Sequence, residues 1–525
     1  MNTSPTPTVD IEAPNGTRIV LRPVVSLAFI SGVSRSALAV VVALCAIWLI
    51  TSFNRINHTD IWGHLSFGRW IVEHGSLPSV DPFRSCVPEP IINIPWLSQV
   101  IGYTWHQALG LEGLVLAHAT LVTLTAAGLM LAVRGRGVST PWAVAAAVAG
   151  YLLALPITGT IRPQLFGMVG FVATLWAISR LPARRHPLLW LPGVFALWAN
   201  LHGSFAVGLA ALGCFSLGAT WEAHRVAGSF GALGQDHVVR RAWLALLLTT
   251  TASCINPLGA KLLAVVAGFG GNVNLAGISE WQPMTITSLS GGLFICSLLI
   301  TAVLLRWSPR RIWVTEVLLI LLFGLGALLA IRMLIWWALV WPWVVAPHAA
   351  ATWLLYRRVE LVESSDEPHE PDTAPGRTLL VVAIVFATVL WSPPTFGLIT
   401  GRCRPEESIL STDTPREMAE QVARRHLTGR IFTPMDWADY LLWRNPGAIE
   451  PLVYSHVHLT SPELWQDFLL IRRGDERWLR VADHYGLKYL VTSRARNRRL
   501  AESAARQTRC RVLHDDRQGL LIEIQ

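Results

Sequence analysis

The feature that most limits what this chain can become is a series of apolar runs, roughly 17 to 22 residues long and almost free of charge, recurring along its first three-quarters. An α-helix needs about 20 apolar residues to cross the hydrocarbon layer of a bilayer, where its backbone groups must be satisfied within the segment itself. About eleven such segments are present, at roughly 36–53, 112–133, 141–158, 163–180, 188–200, 203–222, 242–258, 290–306, 312–331, 333–352 and 378–395. The fifth is short enough to be tilted or broken. The totals agree, since 52% of the 525 residues are hydrophobic and only 15% charged, which is unusual for a soluble protein. The expected fold class is therefore an α-helical polytopic membrane protein.

The net charge of +9 would suggest nucleic acid in a soluble chain. Here the arginines fall mostly in short loops between apolar runs, where they set orientation, so no nucleic-acid partner is implied. With Arg18, Arg22 and Arg35 cytoplasmic, the inside loops hold Arg134 and Arg136, then Arg180, Arg184 and Arg185, then Arg225, Arg240 and Arg241, then Arg306, Arg310 and Arg311, and finally Arg357, Arg358 and Arg377. The opposite loops carry mostly single basic residues such as Arg162, Lys261 and Arg332. This asymmetry predicts a multi-pass protein of the cell membrane, with residues 1–35 cytoplasmic, 36–395 the membrane domain and 396–525 an extracytoplasmic domain. The first apolar run lacks a small-x-small cleavage site after it and reads as a retained anchor. No internal repeat is evident.

The last 130 residues read as a small α/β domain. Thr414-Pro415-Arg416-Glu417 has the form of a capping box with proline at the first helical position, opening a helix to about His426. Short β-like runs follow at 430–433, 451–454, 488–492, 511–514 and 519–524. Cys45, Cys214, Cys254 and Cys296 lie in apolar runs and suit packing, while Cys403 and Cys510 could form a disulfide outside the membrane. The acidic stretch 360–375 reads as a solvated loop.

The loop 54–111 is the longest of the membrane part, and loops of that length are usually functional. Thr59 can cap a helix starting at Asp60, and Gly75 followed by Pro78 ends it. Its apolar residues, Trp62 and Trp70 among them, suit a helix lying at the membrane surface. Asp60 and His64, four residues apart, share one face, flanked by Gly63 and Gly68. Asp81 adds a second carboxylate. Asp60 in a first turn is equally explained by the helix dipole, and Asp81 before Pro82 by a turn. His58, Asp60 and His64 make a divalent metal possible, and the sequence fixes no cofactor. On the same side of the expected bilayer lie Arg162, Asn200, His202, Asn256, Glu280 and Arg332. Capping or snorkelling explains any one of these but explains the set less well. Arg162 and Arg332 would suit phosphate oxygens, and a neighbouring carboxylate could take the proton of an attacking hydroxyl. The 24 tryptophans fit interfacial anchoring better than sugar stacking.

The run Asp60-Ile61-Trp62-Gly63-His64-Leu65, followed by Gly68-Arg69-Trp70-Ile71, His74-Gly75, Pro78 and Asp81-Pro82-Phe83, resembles the first outer loop of bacterial membrane proteins related to the GT-C glycosyltransferases. Arg162-Pro163-Gln164, Trp198-Ala199-Asn200-Leu201-His202-Gly203, Asn256-Pro257 and Glu280-Trp281 carry the likeness through about residues 36–350, and Asp439-Tyr440-Leu441 is similar to the tails of such proteins. The resemblance implies a polyprenyl-phosphate-linked sugar donor, an outward-facing cavity, and a glycan, lipid or protein acceptor at a membrane-lipid boundary. It makes Asp60 the expected base and Asp81 a supporting carboxylate, with His64, Arg162, Asn200, His202, Asn256, Glu280 and Arg332 binding substrate. Two other functions compete. A lipid or glycan transporter or flippase would place ionisable groups mid-membrane, and the span centres are almost free of charge. A non-catalytic assembly protein would tolerate replacement of Asp60.

Overall fold

The structure, a computed structural model, describes residues 9–12, 18–21, 32–57, 60–87, 89–228, 234–356 and 372–525. A helix occupies each expected apolar segment. These are α1 (Arg35–Ser52), the C-terminal half of α3 (Trp96–Arg134), α4 (Thr140–Thr158), α5 (Gln164–Arg180), α6 (Pro187–Leu201), α7 (Phe205–Ala227), α8 (His237–Ala252), α10 (Leu289–Trp307), α11 (Val314–Leu329), α12 (Leu334–Tyr356) and α13 (Pro375–Trp391). Of the described helices, six are long and apolar enough to cross a bilayer unaided. A seventh crossing results if α13 and α14 (Pro393–Thr400), bent by 76°, form one broken span. The shorter α5, α6 and α11 are also apolar.

Local chemistry explains several boundaries. Ser34, Asp236 and Ser288 accept backbone N–H bonds at the starts of α1, α8 and α10. Gly110 has φ 61° inside α3, a conformation open to glycine, and it breaks that helix into a loop half and a spanning half. The helix α12 is the centre of the bundle, buried from Leu334 to His348. Trp336, Trp337, Trp341 and Trp343 are core, whereas Trp353 near its end is exposed. Trp337, Trp341 and Trp343 donate their indole N–H to Ser297, Thr301 and Ser179 at 2.8, 2.9 and 3.0 Å, because a buried indole needs an acceptor. Two of the loop arginines close onto carboxylates, Arg136 on the buried Glu316 and Arg311 on Glu222. Arg22, Arg357, Arg358 and most of the acidic stretch fall outside the described residues.

Short antiparallel pairs join β1 (Val9–Glu12) to β2 (Arg18–Leu21), and β3 (Val33–Ser34) to β4 (Thr373–Ala374). The second pair places the starts of α1 and α13 side by side. The C-terminal residues form one sheet of order β6-β5-β7-β9-β8, from β5 (Gly429–Phe432), β6 (Ile449–Pro451), β7 (Tyr489–Ser493), β8 (Cys510–Asp515) and β9 (Gly519–Ile524). The first three of these are parallel, and the β8–β9 hairpin is antiparallel. Around it pack α16 (Arg416–Arg424), α17 (Met435–Arg444), α18 (Pro462–Arg473), α19 (Trp478–His484) and α20 (Arg498–Ala504).

Three expectations are corrected here. The strand expected at 451–454 is Ile449–Pro451, because Leu452, Val453 and Tyr454 turn inward as buried loop residues. The capping box does not form: α16 begins at Arg416 with no side-chain cap, and the buried Thr414 hydroxyl has no partner. Cys403 and Cys510 are both free, one exposed beside Gly397 and the other packed against the sheet core.

Candidate active site

The helix α2 (Ile61–His74) runs beneath the C-terminal domain and is closed by Gly75 at φ 64°. Trp62 is 1% exposed and packs edge-on against Tyr440 at 5.2 Å, with Trp443 6.3 Å away, so α17 covers α2. Arg69 stacks over Trp443 at 4.1 Å and donates to its carbonyl at 2.9 Å. The helix can sit this close because glycines face its neighbours. A methyl group on Gly68 would strike the backbone of Gln99 in α3, and one on Gly63 would strike Asp439 in α17.

Asp60 stands at the start of α2 but makes no capping bond. Its Oδ1 instead accepts from Arg162 Nε at 3.0 Å, and its Oδ2 lies 3.9 Å from His64 Nε2. The same Arg162 guanidinium reaches Glu280 through NH1, and Glu280 lies 3.8 Å from Arg332 NH1. Two carboxylates and two arginines drawn from four separate loops thus form one chain of charge. Burial pushes the Asp60 carboxyl up, but Arg162, followed by His64, Arg332 and His456, outweighs it and brings the group down to about 2. Burial first of all holds His64 down to about 4 and His202 to about 3. Both rings are neutral at physiological pH. Gln99 donates to His64 Nδ1 at 3.2 Å, and the Ser204 backbone N–H to His202 Nδ1 at 3.1 Å, so each ring carries its proton on Nε2.

Three groups at this site were not singled out as candidates from the sequence, and all come from the C-terminal domain. His456 meets His64 edge-on at 4.7 Å, and His458 lies 5.8 Å from His456 against Phe269. The buried His456 Nε2 has no hydrogen-bond partner. Burial, followed by the proximity of His64, holds His456 well below its ordinary range. Asp439 is fully buried; its Oδ2 accepts from the Ser455 backbone N–H at 3.2 Å and its Oδ1 has no partner. Burial, with the charge of Asp60 adding to it against the Ser455 bond, pushes Asp439 well up. The sequence signals were the Asp439-Tyr440-Leu441 run already noted and the alternate spacing of His456 and His458, whose segment turns into a short 3-10 helix at Val457–Leu459.

Three expected site residues serve the fold instead. The buried Asp81 accepts from Phe83 N at 2.9 Å, from Arg84 Nε at 2.8 Å and from Tyr454 OH at 2.8 Å, while Arg84 continues to Thr460 at 2.8 Å. This clasps the loop to the C-terminal domain and leaves Asp81 no free oxygen for chemistry. Asn200 accepts from Trp96 Nε1 at 3.0 Å and donates to Ala196 and Ile255 carbonyls, both at 2.8 Å. Asn256 closes its own turn on Leu258, Ser253 and Gly259. His58 and Thr59 lie outside the described residues. Among the described residues, one group of three or more side chains is spaced to hold a metal, Glu417, His514 and Asp516; His58, the third member of the set expected with Asp60 and His64, lies outside the described residues.

An apolar groove of about 210 Å³ opens between α2, both halves of α3 and α5. Ile61, Leu65, Gly102, Trp105, Leu121 and Phe166 line its length, and His64, Gln99 and Arg162 border it, although its exposed surface is almost wholly apolar.

No family profile matches the chain, and no curated protein is significantly similar to it. Solved structures do resemble it. The oligosaccharyltransferase of Archaeoglobus fulgidus in its apo form superposes with a TM-score of 0.53 at 13% identity, over 87% of this chain and 69% of that one. The same enzyme in complex with an inhibitory peptide and a dolichol-phosphate gives 0.52 at 12% identity, with the same coverage. The arabinofuranosyltransferase AftD from mycobacteria gives 0.51 at 15% identity, over 94% of this chain and 40% of that one. This chain is a multi-pass membrane protein with the fold of the GT-C glycosyltransferases.

Proposed function

We propose that the protein transfers a sugar from a polyprenyl-phosphate donor to an acceptor hydroxyl on the extracytoplasmic side of the cell membrane. The observation that carries this reading is the sharing of Arg162, which borders an apolar groove, between Asp60 and Glu280. A lipid phosphate is the ligand class that needs both an apolar channel and guanidinium forks. The dolichol-phosphate bound by the archaeal enzyme of the same fold supports that choice. In this reading residues 36–395 form the membrane domain and 396–525 the outer one, with the N-terminus in the cytoplasm.

The donor phosphate would compete with Asp60 and Glu280 for Arg162 and Arg332. Losing that attraction frees Asp60 from the influence that depresses it, and burial then raises its proton affinity. Asp60 becomes a better base once the donor is in place. The acceptor oxygen attacks the anomeric carbon, its proton passes to Asp60, and the carbon–phosphate oxygen bond breaks with the charge left on a phosphate held by the arginines. His64 and His202, both neutral, present Nε2–H groups for sugar hydroxyls.

The test is release of radiolabelled sugar from polyprenyl-phosphate donors by the purified protein in lipid, wild type against Asp60→Asn. Loss of turnover with donor binding retained supports the role of Asp60. Turnover that survives unchanged removes it, and no turnover by wild type with any donor counts against the transferase reading.

A further inference from the structure

The failed capping box leaves Glu417 with its carboxylate free, and that carboxylate points across to the β8–β9 hairpin. There Glu417 Oε1 lies 3.2 Å from His514 Nε2, and Asp516 Oδ2 lies 3.6 Å from the same nitrogen. All three atoms fall within 4.8 Å of one another. Ligand bonds of roughly 2.0–2.2 Å separate neighbouring ligand atoms of a tetrahedral zinc ion by roughly 3.3–3.6 Å, close to the spacings found.

His514 Nε2 and Asp516 Oδ2 are both buried with no hydrogen-bond partner, although the carboxylates are near. The ring nitrogen is therefore close to two carboxylates and aligned with neither, which suits lone pairs converging on a third atom rather than an N–H bond. The Asp516 side chain is 10% exposed. Its other oxygen accepts from the Gln518 and Gly519 backbone N–H groups at 2.7 and 2.8 Å, which fixes the direction of Oδ2. A bulge between Val512 and His514 re-aims His514 out of the regular strand alternation. Glu417, 58% exposed, leaves an open side for a water ligand.

We propose that Glu417, His514 and Asp516 bind one Zn²⁺ ion that staples the start of α16 to the β8–β9 turn. One neutral imidazole and two carboxylates balance a divalent charge, and this donor set suits zinc better than calcium, which prefers oxygen alone. Gln518 already bridges the same junction through the carbonyls of Thr412 and Thr414 at 2.6 and 3.2 Å, so the ion would lock a contact the fold has built. The site is separate from the groove and does not rest on the proposed transferase reaction.

The experiment titrates ZnCl₂ into the full-length, chelator-stripped protein in detergent, in competition with a chromophoric chelator. Wild type is expected to take up one tight equivalent. His514→Gln should lose it and the exposed Glu417→Gln should weaken it by at least about tenfold, and zinc should raise the unfolding temperature of wild type but not of either variant. Should His514→Gln fail to fold, Glu417→Gln alone decides. No saturable equivalent in wild type, or uptake unchanged in the variants, overturns the proposal.

Discussion

Asp439 of the C-terminal domain lies directly on the α-carbon of Gly63 in α2, so that a methyl group at position 63 would overlap its Oδ1 and sit 3.2 Å from His456 Cε1. This contact seats the C-terminal sheet region on the loop that carries Asp60. Gly63→Ala should therefore separate them at a cost of about 1–3 kcal/mol, the usual penalty for overfilling a packed contact. A lower unfolding temperature in detergent and faster proteolysis near Arg402 would show it. Gly213→Ala, whose added methyl meets nothing within 4 Å, should leave both unchanged.

Asp60 and Asp81 should behave as opposites. Asp60→Asn is expected to lower turnover by about 10²–10⁴-fold, the range for a positioned base, with little change in unfolding temperature. Asp81→Asn disturbs the buried clasp on Arg84 and Tyr454 and should lower stability first, with turnover per folded molecule retained. Equal loss of turnover in two equally stable variants would contradict the assignment.

The junction has a second lock. Glu112, 1% exposed, receives Arg404 Nε and NH2 at 2.8 and 2.7 Å and its backbone N–H at 3.1 Å. Arg404→Met leaves that carboxylate buried and unpaired and should cost about 3 kcal/mol. The double variant Glu112→Leu, Arg404→Met should recover most of it, as read by chemical denaturation.

Acid should loosen the same region. His64, His202 and His458 are held at about 4, 3 and 3 in the fold against 6.5 ordinarily, in each case first by burial. The unfolded chain therefore binds more protons below pH 6.5, so the contribution of these rings is complete above 6.5 and erodes as pH falls toward 4. Each histidine can add a slope of up to about 1.4 kcal/mol per pH unit in that window. Unfolding measured from pH 7.5 to 5 should show stability falling with pH, and His458→Phe should make the fall shallower.

What the sequence by itself determined is what depends on neighbours along the chain. A segment's apolar length fixes where helices form, as the correspondence of α1, α4, α5 and α6 with the expected runs shows. The four-residue step from Asp60 to His64 fixes their common face, and Gly75 fixes where α2 stops. Arg162, Glu280 and Arg332 were legible as a set because a charge at a span boundary stands out against apolar surroundings. Tertiary structure decided which polar atoms are spent and which are left over. Asn200, Asn256 and Asp81 looked like site residues until Trp96, Leu258 and Arg84 took their hydrogen bonds. Asp439 was legible only as part of a tail likeness, and His456 not at all, until α17 and the following loop carried them onto α2. Asn256 and Asp81 spend bonds on neighbours two and three residues away, which a turn pattern encodes, but the bonds from Trp96 to Asn200 and from Tyr454 to Asp81 join distant segments, and no local pattern encodes those.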